Sequence, residues 1–193
     1  MAFFRTVSLA DMTSAITGDG VMLRGPQMSD WSEWAQLREA SRDFLTPWEP
    51  IWPADDLTRA SFRRRIKRYC EDQRSDLAYA FFVFRKHDGV LVGGLTLANI
   101  RRGCAQAASL GYWMGVPYVR RGHMTAAVNA VLLFAFSTLK LHRVEAACIP
   151  ANVASVGLLE KTGFRREGFA RKYLCIDGVW QDHLLFARLK DDA

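Results

Sequence analysis

The chain has 193 residues, half of them hydrophobic and about a quarter charged. This length predicts one domain, and twelve Phe, six Trp and five Tyr exclude an intrinsically disordered chain. A net charge of +6 favours anionic partners such as nucleotide cofactors, acidic peptides or RNA. No uninterrupted apolar run reaches the roughly 18 residues of a membrane span, so we expect no membrane partner.

The four cysteines are scattered along the chain without a Cys-x-x-Cys pair. This spacing argues against a zinc site, and we expect the protein to need no metal. Free thiols are typical of cytoplasmic proteins, whereas a disulfide framework is typical of secreted ones. We therefore expect a cytoplasmic protein.

Residues 1–20 are polar and aperiodic, which predicts an N-terminal tail before a single domain over 21–190. A short strand is expected over 21–24. A helix is then expected to begin near Asp30, because Asp30 and Glu33 have the spacing of a capping box.

Three prolines between Thr46 and Pro53 exclude a helix or a central strand there. Trp48 and Trp52 in this irregular segment could cap the core or line a cleft. A second helix is expected over 56–71, and its Arg/Lys cluster could be a solvated face or a surface that binds a partner.

From Tyr79 the pattern predicts a hairpin and then a third antiparallel strand, followed by alternating helices and strands. The expected strands are 79–85, 90–98, 105–116, 142–149 and 183–189, and the expected helices are 124–139 and 154–162. Another strand or a turn is expected to begin at Phe164. This order predicts an α/β fold with a mixed sheet of six or seven strands flanked by helices.

A short loop over 117–122 joins a strand to the long helix that follows. The first turn of a helix offers unpaired N–H groups and a positive dipole end, which suit a phosphate. Arg120 and Arg121 add positive charge, and Gly122 allows close approach of the backbone. The loop has neither the Gly-Lys-Ser/Thr of a Walker loop nor a Gly-x-Gly-x-x-Gly motif.

Three motifs in this order resemble the GCN5-related N-acetyltransferase (GNAT) superfamily: Arg-Arg-Gly-x-Met at 120–124, Asn-x-x-Ser at 152–155, and Leu-Leu-Glu-Lys-x-Gly-Phe at 158–164. The closing stretch, 165–183, resembles the branch that acetylates the N-termini of ribosomal proteins, closest to the ribosomal-protein-alanine (RimJ) type. The resemblance runs from about residue 21 to residue 189.

The resemblance implies the GNAT acyltransferase fold, with acetyl-CoA as co-substrate in a V-shaped opening between two central strands. Its pyrophosphate would lie on the backbone amides of residues 121–125, and one backbone N–H of residues 114–116 would stabilise the oxyanion. The implied cofactor-binding residues are Met114, Gly115, Val116, Arg121, Gly122, His123, Met124, Thr125, Asn152 and Ser155.

The chain has Leu159 where many superfamily members carry a tyrosine that protonates the departing thiolate. Ser155 is the candidate that replaces it, although it could also be a helix cap. Glu145 is the candidate general base, although it could be structural. The absence of a Ser-His-Asp order or of paired carboxylates favours direct attack of the amine on the thioester.

The acceptor is expected to be the N-terminal α-amine of a protein. A ribosomal protein as acceptor, and association with the ribosome, are compatible with this expectation. The alternatives are a small amine, or a catalytically idle acyl-CoA-binding module docked on RNA or a protein. Trp48, Trp52 and Tyr173 are expected to line the acceptor side. Either a monomer or a homodimer is compatible with the sequence.

Overall fold

The computed structural model describes residues 15–192, which form a mixed eight-stranded sheet in the order β1-β2-β3-β4-β5-β6-β8-β7. The strands are β1 (Ile16–Gly18), β2 (Val21–Arg24), β3 (Tyr79–Arg85), β4 (Leu91–Arg101), β5 (Ala107–Met114), β6 (Arg143–Cys148), β7 (Arg165–Ile176) and β8 (Val179–Leu189). The helices are α1 (Trp31–Ala40), α2 (Arg42–Leu45), α3 (Arg59–Arg74), α4 (His123–Ser137) and α5 (Val153–Lys161).

The predicted mixed α/β fold is confirmed, with eight strands instead of six or seven. The extra strand is β1, which lies within the predicted tail and pairs with β2. The strand or turn expected from Phe164 is a strand, β7, which pairs with β8 through two register shifts. The remainder of the predicted tail, residues 1–14, lies outside the described residues.

Asp30 has a different role from the one its spacing with Glu33 predicts. Its carboxylate accepts from the Gln27 amide and from the Arg24 guanidinium, within a short 3-10 helix that precedes α1. Glu33 instead accepts from the amide of Leu91 at 2.7 Å. The expected capping box is therefore wrong, because both carboxylates bind partners outside the first turn of α1.

The two faces of the sheet bury separate apolar clusters, because neighbouring residues of a strand point to opposite sides. On β3, Phe81 and Val83 belong to the larger cluster, which contains side chains of α4 and α5. Phe82 and Phe84 belong to the smaller one, under α1 and α3. The helices are thereby held on both faces, and the central strands are covered.

The helix that carries the arginine cluster, α3, begins three residues later than predicted, with Thr58 as its N-cap. Its fully buried residue is Phe62, whose ring lies 4.8 Å from that of Trp34. Across the described part of the chain, no helix is long and apolar enough to cross a membrane.

Substitution of Phe62 by alanine should lower the free energy of unfolding by about 3–5 kcal/mol, because it leaves a cavity between α1, α3 and the sheet. Urea denaturation measures the change. The matched control is Phe169→Ala, since Phe169 is 49% exposed on β7, and its cost should stay below about 1 kcal/mol. Equal costs for the two variants would contradict the placement of Phe62 in the core.

Candidate active site

The central strands β5 and β6 part after a short stretch of pairing. They are parallel neighbours over only three pairs, from Ala107↔Arg143 to Ser109↔Glu145. Beyond Ser109, β5 stays bound to β4 and β6 stays bound to β8. The result is a V-shaped opening in the middle of the sheet.

The backbone of β5 presents polar groups to this opening. The amide of Gly115 donates to the carbonyl of Val92 on β4, and hydrogen-bonded and non-hydrogen-bonded pairs alternate along an antiparallel ladder. Met114 and Tyr112 therefore direct their own N–H and C=O groups away from β4, towards the gap. These groups can pair with an extended, amide-containing ligand.

A cleft of about 830 Å³ occupies the opening. Its wall includes most of the predicted cofactor-binding residues, which come from β5, the 117–122 loop and the first turns of α4 and α5. Those that line it are Met114, Arg121, Gly122, His123, Met124, Thr125, Asn152 and Ser155.

Gly115 and Val116 differ from their prediction, since neither lines the cleft. Gly115 is buried so tightly that a Cβ atom would lie 2.4 Å from Leu37. The amide of Val116 donates to the Ser41 hydroxyl at 3.0 Å. Both amides are therefore engaged within the protein, and of the three residues only Met114 keeps an amide that faces the opening.

The N-terminus of α4 is open to an anion. Its N-cap is Gly122, which has φ 81° and no side-chain cap, and no atom lies within 4 Å of the position that a Cβ atom would take there. No acidic side chain lies in the first turn, and the neighbouring Arg120 and Arg121 are exposed. The unpaired N–H groups, the helix dipole and the two guanidinium groups can therefore all attract an anion to this end of α4.

His123 also lines the cleft, and its side chain carries a polar atom without a partner among the described residues. Its Nε2 is buried and makes no hydrogen bond with any residue of 15–192. Burial lowers the pKa of His123, and the positive charges of Arg85 and Arg121 lower it further.

Ser155 and Tyr112 form a hydrogen bond across the opening, with 2.7 Å between their hydroxyl oxygens. The cap of α5 is supplied by Asn152, whose side chain accepts from the Ser155 amide at 3.0 Å. The Ser155 hydroxyl is thus not the cap. Burial raises the pKa of Tyr112 to about 12, so the phenol stays protonated at neutral pH.

Tyr112 lines the cleft although the motifs did not single it out. The alternation of β5 could have revealed it, because Leu110, Tyr112 and Met114 pack against the same cluster. Leu159, which stands at the usual tyrosine position, is fully buried in that cluster. The chain therefore has a phenol in the cleft, but on a strand instead of the helix.

Glu145 does not line the cleft. Its carboxylate accepts from Arg101 at 2.5 Å and from Arg143 at 2.8 Å. Two guanidinium groups engage it outside the opening, so its placement does not favour the expected role as the general base. Glu145 belongs to an ion-pair network in which Arg143 also binds Glu167.

Another part of the cleft wall, where we expect the acceptor, is lined by Phe44, Leu45, Trp48, Glu49 and Trp113. The tip of the β7–β8 hairpin closes it from the side, because the Asp177 amide donates to the Glu49 carbonyl at 2.9 Å. An aromatic wall and a hairpin therefore flank the place where an acceptor would enter.

The three predicted acceptor residues lie in different places. Trp48 lines the cleft. Trp52 lies in an adjoining groove, where its indole donates to Glu49. Tyr173 is half-exposed on β7 with its ring against His183, and it does not line the cleft. The position of Tyr173 depends on the β7 register shifts, which its local sequence does not encode.

The family described as the acetyltransferase (GNAT) domain matches residues 21–165, and the chain belongs to this family. It is an acetyl-CoA-dependent N-acetyltransferase of the RimJ-like branch. No group of three or more His, Cys, Asp or Glu side chains within residues 15–192 is arranged to hold a metal ion.

Two relatives align over 177 residues, or 92% of the chain. A probable N-acetyltransferase of Bacillus subtilis, YjcK, is 38% identical and is covered over 98% of its length. The ribosomal protein uS5-alanine N-acetyltransferase of Escherichia coli is 31% identical and is covered over 91%.

Among solved structures, Mycobacterium smegmatis RimJ in complex with a CoA-disulfide superposes with a TM-score of 0.86 and 32% identity. The alignment covers 92% of this chain and 87% of that one. The ribosomal-protein-S5-alanine acetyltransferase of Vibrio fischeri gives a TM-score of 0.85 and 32% identity, with 93% and 98% covered.

Proposed function

We propose that the protein transfers the acetyl group of acetyl-CoA to the N-terminal α-amine of a protein, in particular a ribosomal protein. The observation that carries this proposal is the similarity to the uS5-alanine N-acetyltransferase over 92% of the chain, which includes the acceptor side as well as the cofactor side. The wide, aromatic acceptor end agrees with it, because such a wall can hold an extended peptide.

In this proposal the cofactor half of the cleft holds acetyl-CoA. The amides of the first turn of α4, with Arg120 and Arg121, bind the pyrophosphate. The unpaired backbone groups of Tyr112 and the carbonyl of Met114 bind the pantetheine amides. The open helix end and the two exposed arginines beside it fit an anionic ligand.

Different groups of the protein would then assist the separate steps of the acetyl transfer. Acetyl-CoA supplies the thioester carbonyl, and the amine nitrogen forms the new C–N bond as the C–S bond breaks. The Met114 amide faces the developing oxyanion. Ser155 gives its hydroxyl proton to the departing sulfur and regains one from Tyr112, which burial keeps protonated. The proton that the acetylated nitrogen loses passes to water, and water returns one to Tyr112.

A panel of acceptors tests the proposal. Peptides that begin with alanine should be acetylated with a kcat/KM well above that of small amines, and mass spectrometry should place the acetyl group on the α-amine. The same peptides with a blocked N-terminus are the control. Efficient turnover of small amines, with none of the peptides modified, would assign the protein to small-molecule acetylation.

The phosphate end can be tested by Gly122→Glu. The new carboxylate should weaken acetyl-CoA binding about tenfold or more, because it faces the pyrophosphate at short range. Calorimetric titration measures the affinity. Gly20→Glu is the matched control, since Gly20 also has a positive φ, of 68°, and an open Cβ position but lies outside the cleft. Unchanged affinity in Gly122→Glu would refute this placement.

The hydroxyl pair can be tested by Ser155→Ala and Tyr112→Phe. Loss of the proton donor should lower kcat roughly a hundredfold in Ser155→Ala, with the KM for acetyl-CoA nearly unchanged because the donor acts in the transition state. Tyr112→Phe should have a smaller effect of the same kind. The control is Ser109→Ala, on β5 outside the cleft. A kcat of Ser155→Ala within about twofold of the wild type would exclude Ser155 as the donor.

A further inference from the structure

A second groove, of about 670 Å³, adjoins the acceptor end of the cleft. Glu49 lines both, so the two spaces share a wall. The groove runs between the segment around Trp52 and the helix α3. Four arginines line it, and they are Arg38, Arg64, Arg65 and Arg68.

One wall of the groove is a rigid stack. Arg38, only 7% exposed, binds both carboxylate oxygens of Glu49 at 2.7 and 2.6 Å. The indole of Trp52 lies 4.0 Å from the Arg38 guanidinium and 4.8 Å from that of Arg42, and it donates to Glu49. Because these contacts fix one another, the wall is ordered before any ligand enters.

The opposite wall carries positive charge that the protein only partly neutralises. Arg64 and Arg65 are paired with Asp55 and Asp56. Arg68 lies against the ring of Tyr69, and no carboxylate of residues 15–192 forms an ion pair with it. The four guanidinium groups are therefore balanced by three carboxylates, those of Glu49, Asp55 and Asp56, and Arg68 is the arginine of the lining without an ion pair among residues 15–192.

This arrangement suits one carboxylate better than a nucleic-acid backbone. A guanidinium fork matches a carboxylate with two parallel hydrogen bonds. A nucleic acid presents a row of phosphates and needs an extended positive surface. Here the walls include Pro50, Pro53 and two carboxylates, which would crowd and repel such a row.

We propose that this groove binds an acidic side chain of the acceptor polypeptide, a short distance after the N-terminal residue whose amine is acetylated. The inference rests on the proposed function, because it requires a peptide acceptor that extends from the cleft past Glu49. It names the substrate class more closely: protein N-termini with an Asp or Glu near the modified residue. Arg68 is the main contact, because its guanidinium is uncommitted.

Pairs of alanine-initiated peptides that differ only by Glu or Gln test the inference, with the Glu moved along the peptide one position at a time. At one position the wild type should prefer Glu by about fivefold in kcat/KM, as expected for a charge-assisted hydrogen bond at a partly exposed site. The preference should fall as the salt concentration rises.

Arg68→Gln should abolish the preference without lowering kcat for the Gln peptide. Arg63→Gln is the matched control, because Arg63 is exposed on the same helix and does not line the groove. Arg68→Glu should invert the selectivity, so that a Lys peptide is favoured over the Glu peptide. Melting temperatures identify any variant that fails to fold, and the inversion then gives the independent readout.

Equal rates for Glu and Gln peptides at every position would overturn the inference and leave the proposed function intact. A Glu preference that survives Arg68→Gln would also overturn it, because the carboxylate would then bind elsewhere. Binding of a labelled RNA hairpin that weakens in Arg68→Gln but not in Arg63→Gln would assign the groove to phosphates. If no peptide is acetylated, both the inference and the proposed function fail.

Discussion

The separation of β5 from β6 is the constraint on which the rest of the site depends. Three residue pairs join these strands, and beyond Ser109 each is held only by its outer neighbour. Unpaired backbone groups in the middle of a sheet cost free energy unless water or a ligand satisfies them. The fold keeps the gap open because β4 and β8 fix the two strands from outside, so the opening does not close by strand pairing.

The helices are placed by this opening. The helix after β5, α4, begins at Gly122 and aims its N-terminal amides at one end of the gap, and α5 begins near Ser155 on the far side. The hydrogen bond between Tyr112 and Ser155 joins the two sides. A hydroxyl that belongs to the helix is thereby held against the free edge of the strand, where a ligand paired with that edge would lie.

The sequence predicts what depends on short stretches of chain. The anion site needs a loop, a glycine and the first turn of a helix, all within residues 117–125, and the structure brings them together at the cleft. The spacing of Asn152 and Ser155 likewise determines the hydrogen bond between them, because the two residues lie one helical turn apart. Local chemistry is sufficient in both cases.

The predictions that the structure does not favour depend on distant partners. Glu145 is engaged by Arg101, 44 residues earlier in the chain, and Glu33 binds an amide on β4. Trp52 is turned away from the cleft by its stack with Arg38 and Arg42. No local pattern encodes these contacts, since each forms only when the helices and the sheet pack together.

The pKa of the acceptor amine gives a physical argument that the acceptor is an α-amine. Among residues 15–192, the only carboxylate that lines the cleft is Glu49, and both its oxygens are occupied by Arg38 and Trp52. The cleft therefore has no uncommitted carboxylate to remove a proton from the acceptor. A lysine side chain, with an ordinary pKa of about 10.4, would need such help, whereas an α-amine titrates near 7.7–8.0.

The difference between these two amines, about 2.5 pKa units, corresponds to roughly 3.4 kcal/mol in the free energy needed to present a neutral amine at pH 7. Water can accept the proton of an α-amine at little cost, so a site without a free carboxylate can still acetylate it. The commitment of Glu49 to the wall between cleft and groove thus has two consequences. It makes that wall rigid, and it leaves the cleft suited to α-amines, which have the lower pKa of the two classes.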